Sequence, residues 1–375
     1  MVLRAWAEDI RAPIGDVRNA LRRVRNDPSA ASDADWAELL GAAGDELDEL
    51  CDLADAARVS AVGADALTFV VNRNFDTATV AALGRSGVTL EDLVTEAHDL
   101  GATEICMQGP LPAAAPADGY LRLVDTITAT APDLHLHAFR PAEVRDGAAR
   151  MGIGLDEYLA RLRDAGLGSV PGTAAQILDD DVRRALAGNA PVLTVAEWVE
   201  TIEAAHRAGM FSTATMLYGH VETPRQQVAH LRTLNGIAER THGFHELILM
   251  PMLPVNAGPH LASIAVAAPG ERETRAVHAV ARLMTLGHID HLQVAWTKLD
   301  APVVDRLLRG GADDIGGLLL DGQLMPDAGP EAGRVLTAEG LTAIAERAGR
   351  TLRQRTTGYG EPAADRQTVL GGVSR

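Results

Sequence analysis

Short apolar runs alternate with helical, capped segments along most of the chain. Candidate strands fall at 67–72, 103–108, 134–139, 168–170, 212–218, 246–252, 292–296 and 314–320, each too short and too apolar to read as an amphipathic helix. The segments between them carry helix punctuation. Thr89 with Asp92 predicts a helix start and Gly101 its stop. Thr194 with Glu197 predicts a second, ending at Gly209. Thr223 followed by Pro224 opens a third, since proline is harmless at the first helical position. A fourth runs over 274–287. Ahead of the first strand, Ser32 can cap one helix over 33–58, with Trp36, Leu39, Leu40, Leu47 and Leu50 at helical spacing. The Ala/Pro run at 113–117 reads as a loop, and the chain after Gly358 as a loose tail.

Strands alternating with helices call for a parallel sheet, and eight such units favour closure into a (βα)8 barrel of the TIM type. An open doubly wound sheet is the competing architecture. The predicted organisation is an N-terminal helical extension at 1–65, a barrel at 66–330, and a C-terminal helix and tail at 331–375. In a barrel, chemistry belongs at the carboxyl ends of the strands. That rule selects 72–74, 108–110, 137–140, 169–173, 218–223, 252–256, 297–298 and Asp321.

Composition narrows the function. The 375 residues hold 34 Lys and Arg against 51 Asp and Glu, a formal charge of −17. Such a surface repels phosphate, so neither nucleic acid nor an anionic membrane is an expected partner. No apolar run approaches the roughly 18 residues of a membrane span, and no signal pattern opens the chain. A cytoplasmic globular protein is expected. The two cysteines, Cys51 and Cys106, exclude a disulfide scaffold and a four-thiolate metal site. Both read as packing residues.

Three constellations could carry chemistry. Tyr218, Gly219, His220 and Glu222 close a strand just before a helix start. His and Glu two apart at a barrel mouth could act as acid and base or hold a ribose, or Glu222 could simply cap the next helix. His135 and His137 alternate with apolar neighbours and therefore share one strand face. They could bind a substrate oxygen or be structural, but they do not supply a metal's full ligand set. The glycine-rich turn from Gly166 to Thr173 offers amides and the hydroxyls of Ser169 and Thr173 to a carboxylate at a helix N-terminus, or is only a tight turn. Arg353, Arg355 and Tyr359 read as a solvated or self-docking tail.

These pieces stand in an order that resembles a known family. Val70-Val-Asn-Arg-Asn74, Glu104-Ile-Cys-Met-Gln-Gly109, His135-Leu-His-Ala-Phe139, Gly166-Leu-Gly-Ser-Val-Pro-Gly-Thr-Ala-Ala175, Ser212 through His220, and Arg353-Gln-Arg-Thr-Thr357 resemble the tyrosine-using half of the radical S-adenosylmethionine enzymes that make the deazaflavin precursor FO. That half is the 5-amino-6-(D-ribitylamino)uracil–tyrosine 4-hydroxyphenyl transferase of coenzyme F-420 biosynthesis. The resemblance covers roughly 15–362 and implies a (βα)8 barrel, S-adenosylmethionine as cofactor and a [4Fe–4S] cluster.

The chain departs from that family where the cluster would sit. The family places a Cys-x-x-x-Cys-x-x-Cys loop after Asn-Arg-Asn; here Asn74 is followed by a shorter segment, 75–88, without cysteine. Iron in such clusters demands thiolates, so no metal ligands are assigned. The family's double glycine is Gly109-Pro110 here, and Gln176 stands where a glutamate is usual. Gln108 and Gly109 remain the candidate cofactor-binding positions, and no catalytic residue is assigned. The expected role is a cluster-less homologue without radical chemistry. It would retain a small-molecule pocket lined by His137, Ser169, Thr173, Tyr218, His220 and Glu222, or work beside a cluster-bearing homologue. The alternatives are a competent transferase, or a barrel with a new non-radical activity.

Overall fold

A computed structural model describes residues 14–83, 87–173, 175–253, 260, 263, 268–320, 322–324 and 335–367. The predicted positions 254–256 and Asp321 lie outside these. Among the described residues three α-helices precede the first strand: α1 (Ile14–Asn26), α2 (Asp33–Leu39) and α3 (Asp45–Val62). Ser32 does cap α2, in a box with Asp35. The single helix expected over 33–58 is broken, however, because Gly44 takes φ 54 between α2 and α3, a conformation that suits glycine and interrupts a helix.

From there strands and helices alternate: β1 (Ala66–Val70), β2 (Asn72–Asp76), α4 (Thr77–Ala81), α5 (Leu90–Asp99), β3 (Glu104–Gln108), α6 (Gly119–Thr130), β4 (His135–Ala138), α7 (Pro141–Met151), α8 (Leu155–Asp164) and β5 (Ser169–Val170). After these come α9 (Asp180–Ala187), α10 (Val195–Arg207), β6 (Phe211–Tyr218), α11 (Pro224–Thr241), β7 (Phe244–Pro251), α12 (Glu271–Thr285), β8 (His291–Val294), α13 (Ala301–Leu308), β9 (Asp314–Gly317), α14 (Ala338–Ala348) and β10 (Thr351–Gln354). The Thr89 and Thr223 capping boxes form, and Thr194 caps Glu197. The fourth helix starts earlier than Thr274, at Glu271 behind Gly270.

Ten strands are present among the described residues, in the order β10-β1-β9-β8-β7-β6-β5-β4-β3-β2. The eight-strand reading missed two. β2 is polar at Asn72, Arg73, Asn74 and Asp76, and only its first residue falls within the predicted strand 67–72. β10, Thr-Leu-Arg-Gln, alternates exposed and half-buried positions, but pairs in parallel with β1 from Ala66↔Thr351 to Phe69↔Gln354.

The chain forms two compact units. One comprises 1–65, 175–197 and 214–314, and the other 66–174, 198–213 and 315–375. In the second unit β2, β3 and β4 run parallel in register. The face turned to the helices is apolar there apart from Arg73: Phe75, Ile105, Met107, Leu136, Ala138 and Val170 are at most 1% exposed. Each large side chain so buried contributes about 1.5–3 kcal/mol. In the first unit β7 and β8 pair from Glu246↔His291, and α3, α12 and Arg272 bring the N-terminal helices into the core: the Arg272 guanidinium donates to the carbonyls of Leu40 and Ala42. The tail is tied down over the part described: Arg366 donates to the carbonyls of His98 and Ala102, and Arg355 stacks 4.0 Å from the Tyr359 ring. No described helix is long and apolar enough to cross a membrane.

Candidate functional site

Strand register decides which side chains share a face, because partners across a parallel pair point the same way. In the second unit the pairings Asn72↔Glu104, Asn74↔Cys106 and Asp76↔Gln108, Glu104↔His135 and Cys106↔His137, and His137↔Ser169 align one polar face. The alternate residues of the same strands are apolar except Arg73, whose guanidinium is paired with Glu96 at 2.6 Å. A face this polar is costly to bury unless its groups are paired, and they are. Ser169 Oγ lies 2.7 Å from Nε2 of His135 and 2.6 Å from Nδ1 of His137. Gln108 donates its amide to Cys106 Sγ at 3.3 Å and accepts from Thr173 Oγ1 at 3.1 Å. Thr357 donates to Glu104 at 2.7 Å.

Backbone choices place these groups. A Cβ at Gly168 would sit 2.3 Å from the His135 ring, so only glycine lets that ring reach Ser169. The same ring stacks on Phe211, centroids 5.2 Å apart. Just past β4, Phe139 holds φ 65, and past β9, Leu319 holds φ 55. Bulky residues rarely adopt this region, and such strain concentrates at functional sites. His137 is a neutral imidazole: burial, then His135 and the Arg355 guanidinium, push its pKa down to about 3.

Gly109 has no free amide, since its N–H donates to Glu143 at 3.1 Å. The glycine-rich turn is not followed at once by a helix. α9 begins only at Asp180, capped by Asp179, and the Gly172 N–H donates to Thr213 Oγ1. The expected helix N-terminus at Thr173 is therefore absent, because 175–179 run on without helical structure.

In the first unit, Tyr218, His220 and Glu222 form a separate group, each without exposed surface. Tyr218 donates to Thr274 Oγ1 at 3.2 Å, and burial raises its pKa. Glu222 accepts from the amides of Gly219 (2.6 Å) and His220 (2.8 Å) and from the Gln227 side chain (2.8 Å). Burial alone would raise its pKa, but His220 and those amides outweigh burial and hold it down to about 2. His220 donates Nε2 to the Leu217 carbonyl, and its Nδ1 lies 2.8 Å from the Val221 nitrogen and 2.9 Å from Glu222 Oε2. The Glu222 carboxylate and the His220 imidazole thus bond to the backbone around this turn and to Gln227 on α11. Sequence reasoning joined these three to His137, Ser169 and Thr173 in one pocket; the structure places them in the other unit.

Some contributors to the polar face were not singled out in advance. Glu104 and Cys106 were legible from alternation once β3 was recognised. Arg355 and Thr357 follow β10, whose pairing no local pattern announced.

A [4Fe–4S] cluster does not fit the residues present. Asp76 already caps α4 through the Thr79 amide, so β2 passes directly into a helix with no thiolate. Cys106 is engaged by Gln108, and burial pushes the Cys51 thiol up, away from the thiolate form. Among the described residues no three His, Cys, Asp or Glu side chains gather as for a metal.

The alternation of parallel strands and helices is that of a TIM-type α/β fold. Solved structures share it: the hydrogenase maturase HydG of Carboxydothermus hydrogenoformans superposes with a TM-score of 0.65 at 14% identity, over 94% of this chain and 82% of that one. Methylornithine synthase gives 0.63 at 15% identity, over 89% and 97%. No protein-family model matches the chain. Among curated proteins, FO synthase of Mycobacterium leprae is 42% identical over 361 residues, covering 92% of this chain and 42% of that protein. The 5-amino-6-(D-ribitylamino)uracil–L-tyrosine 4-hydroxyphenyl transferase 1 of Methanosarcina barkeri is 36% identical over 317 residues, 80% of this chain and 83% of that one. The chain belongs to this transferase family, and spans less than half the length of the FO synthases it matches.

Proposed function

We propose that this chain is a family member that has lost radical chemistry and kept a binding face for a small molecule of the family's type, such as 5-amino-6-(D-ribitylamino)uracil or tyrosine. The observation that carries the reading is the thiol inventory: two cysteines, one buried on α3 and one bonded within β3, where the cluster needs thiolates gathered in one loop. Without a cluster, no electron is available to cleave S-adenosylmethionine.

In this reading His137 meets the ligand. Ser169 orients its ring, and Thr173 with Gln108 forms the adjoining wall. Gly109 holds the strand end through Glu143 rather than a cofactor. Tyr218, His220 and Glu222 hold the carboxyl end of β6 in shape. A subunit role beside a cluster-bearing homologue is compatible with the same face.

The test is calorimetry of the purified chain with 5-amino-6-(D-ribitylamino)uracil, tyrosine and S-adenosylmethionine, each alone. Binding of at least one that is weakened tenfold or more by His137→Ala supports the reading. No binding by any of the three sinks it.

A further inference from the structure

Ser169 Oγ lies between two imidazoles, 2.7 Å from His135 Nε2 and 2.6 Å from His137 Nδ1. A serine hydroxyl owns one proton and two lone pairs. Its side chain is fully buried, and it has no other hydrogen-bond partner among the described residues. The hydroxyl must therefore donate to one ring and accept from the other.

That constraint couples the two tautomers. If His137 carries its proton on Nδ1, it donates to Ser169, Ser169 donates to His135 Nε2, and His135 carries its proton on Nδ1. If instead His135 donates from Nε2, Ser169 donates to His137 Nδ1, and His137 carries its proton on Nε2. Both rings are Nδ1–H, or both are Nε2–H. In either state His137 Nε2 has no partner among the described residues.

We infer that His135, Ser169 and His137 form a proton relay that lets His137 Nε2 meet a ligand as either acceptor or donor. The step balances without leaving charge on a ring. The ligand's proton passes to His137 Nε2, and the His137 Nδ1 proton passes to Ser169 Oγ. The Ser169 hydroxyl proton passes to His135 Nε2, and the His135 Nδ1 proton leaves to water. The ligand is left as its conjugate base. A neutral relay suits this place, because burial, and after it His135 and the Arg355 guanidinium, disfavours an imidazolium at His137. Gly168 belongs to the device, since any larger residue would displace the His135 ring.

The inference rests on the proposed binding face for its ligand, but the relay itself can be read in the free chain. Nitrogen-15 NMR of histidine-labelled protein, assigned with His135→Gln and His137→Gln, reports the tautomer of each ring. The relay predicts matching tautomers in the wild type and loss of that match in Ser169→Ala, with Ser169→Thr restoring it. Opposite tautomers in the wild type, or a match that survives Ser169→Ala, overturn it. Addition of 5-amino-6-(D-ribitylamino)uracil then gives a second reading. A shift at His137 must be accompanied by one at His135 in the wild type and not in Ser169→Ala; a His137 shift with His135 unmoved in the wild type also overturns the relay. No response at either ring counts against the proposed ligand and leaves the relay to stand or fall on the free chain.

Discussion

Glu222 and His220 lie with Oε2 2.9 Å from Nδ1, and neither side chain has any exposed surface. A carboxylate so deeply buried is held by the His220 ring together with three N–H donors that point at it. Glu222→Gln replaces one acceptor oxygen with a donor facing those groups. It should cost about 3 kcal/mol of stability, read as a lower denaturation midpoint. Lost ligand binding at unchanged stability would instead assign Glu222 to a binding role.

Stability should fall on mild acidification because of buried neutral histidines. Burial is the largest cause lowering His137 and His230 to about 3 and His278 to about 4, from 6.5. Between those limits the unfolded chain binds more protons than the folded one, so stability present above about pH 6.5 is lost as pH drops toward 3–4. His230 makes the case concrete. It accepts the Leu178 N–H at Nδ1 and donates Nε2 to the Thr215 carbonyl, with no room for a second proton. Urea midpoints should fall between about pH 7.5 and pH 5 and stay level from about 7.5 to 8.5. A flat profile down to pH 5 would contradict the assignment.

Gly172→Ala should be among the most damaging single changes in the second unit. Its Cβ would lie 1.9 Å from the Thr213 carbonyl oxygen, and backbone cannot rotate away as a side chain can. A cost of about 1–3 kcal/mol or more follows from overpacking of this kind. Gly154→Ala, with open space around the new methyl, is the control and should change the midpoint little.

The alternation of strands and helices, and with it the fold class, was legible because apolar strands and capped helices carry local signals. Thr89 with Asp92, and Thr223 ahead of Pro224, start their helices as expected. β2 was hidden by its polarity: Asn72, Arg73, Asn74 and Asp76 leave Phe75 as its one apolar residue. β10 was hidden because its partner β1 is distant in sequence. For the site, His135 and His137 were correctly read as sharing a face, since period two is a local property. That the side chains of Tyr218, His220 and Glu222 are fully buried was not legible, because a strand end looks alike in sequence whether it is open or closed over. Departure from a family pattern was the most readable feature of all, because a missing thiol needs no geometry.

The most direct test of the central claim is the metal content of the chain. After anaerobic reconstitution with iron and sulfide, protein freed of excess reagent should retain no more iron or acid-labile sulfide than a Cys51→Ala/Cys106→Ser variant treated identically. Stoichiometric iron and sulfide in the wild type, with the visible absorbance of a cluster and its loss in the variant, would contradict the account.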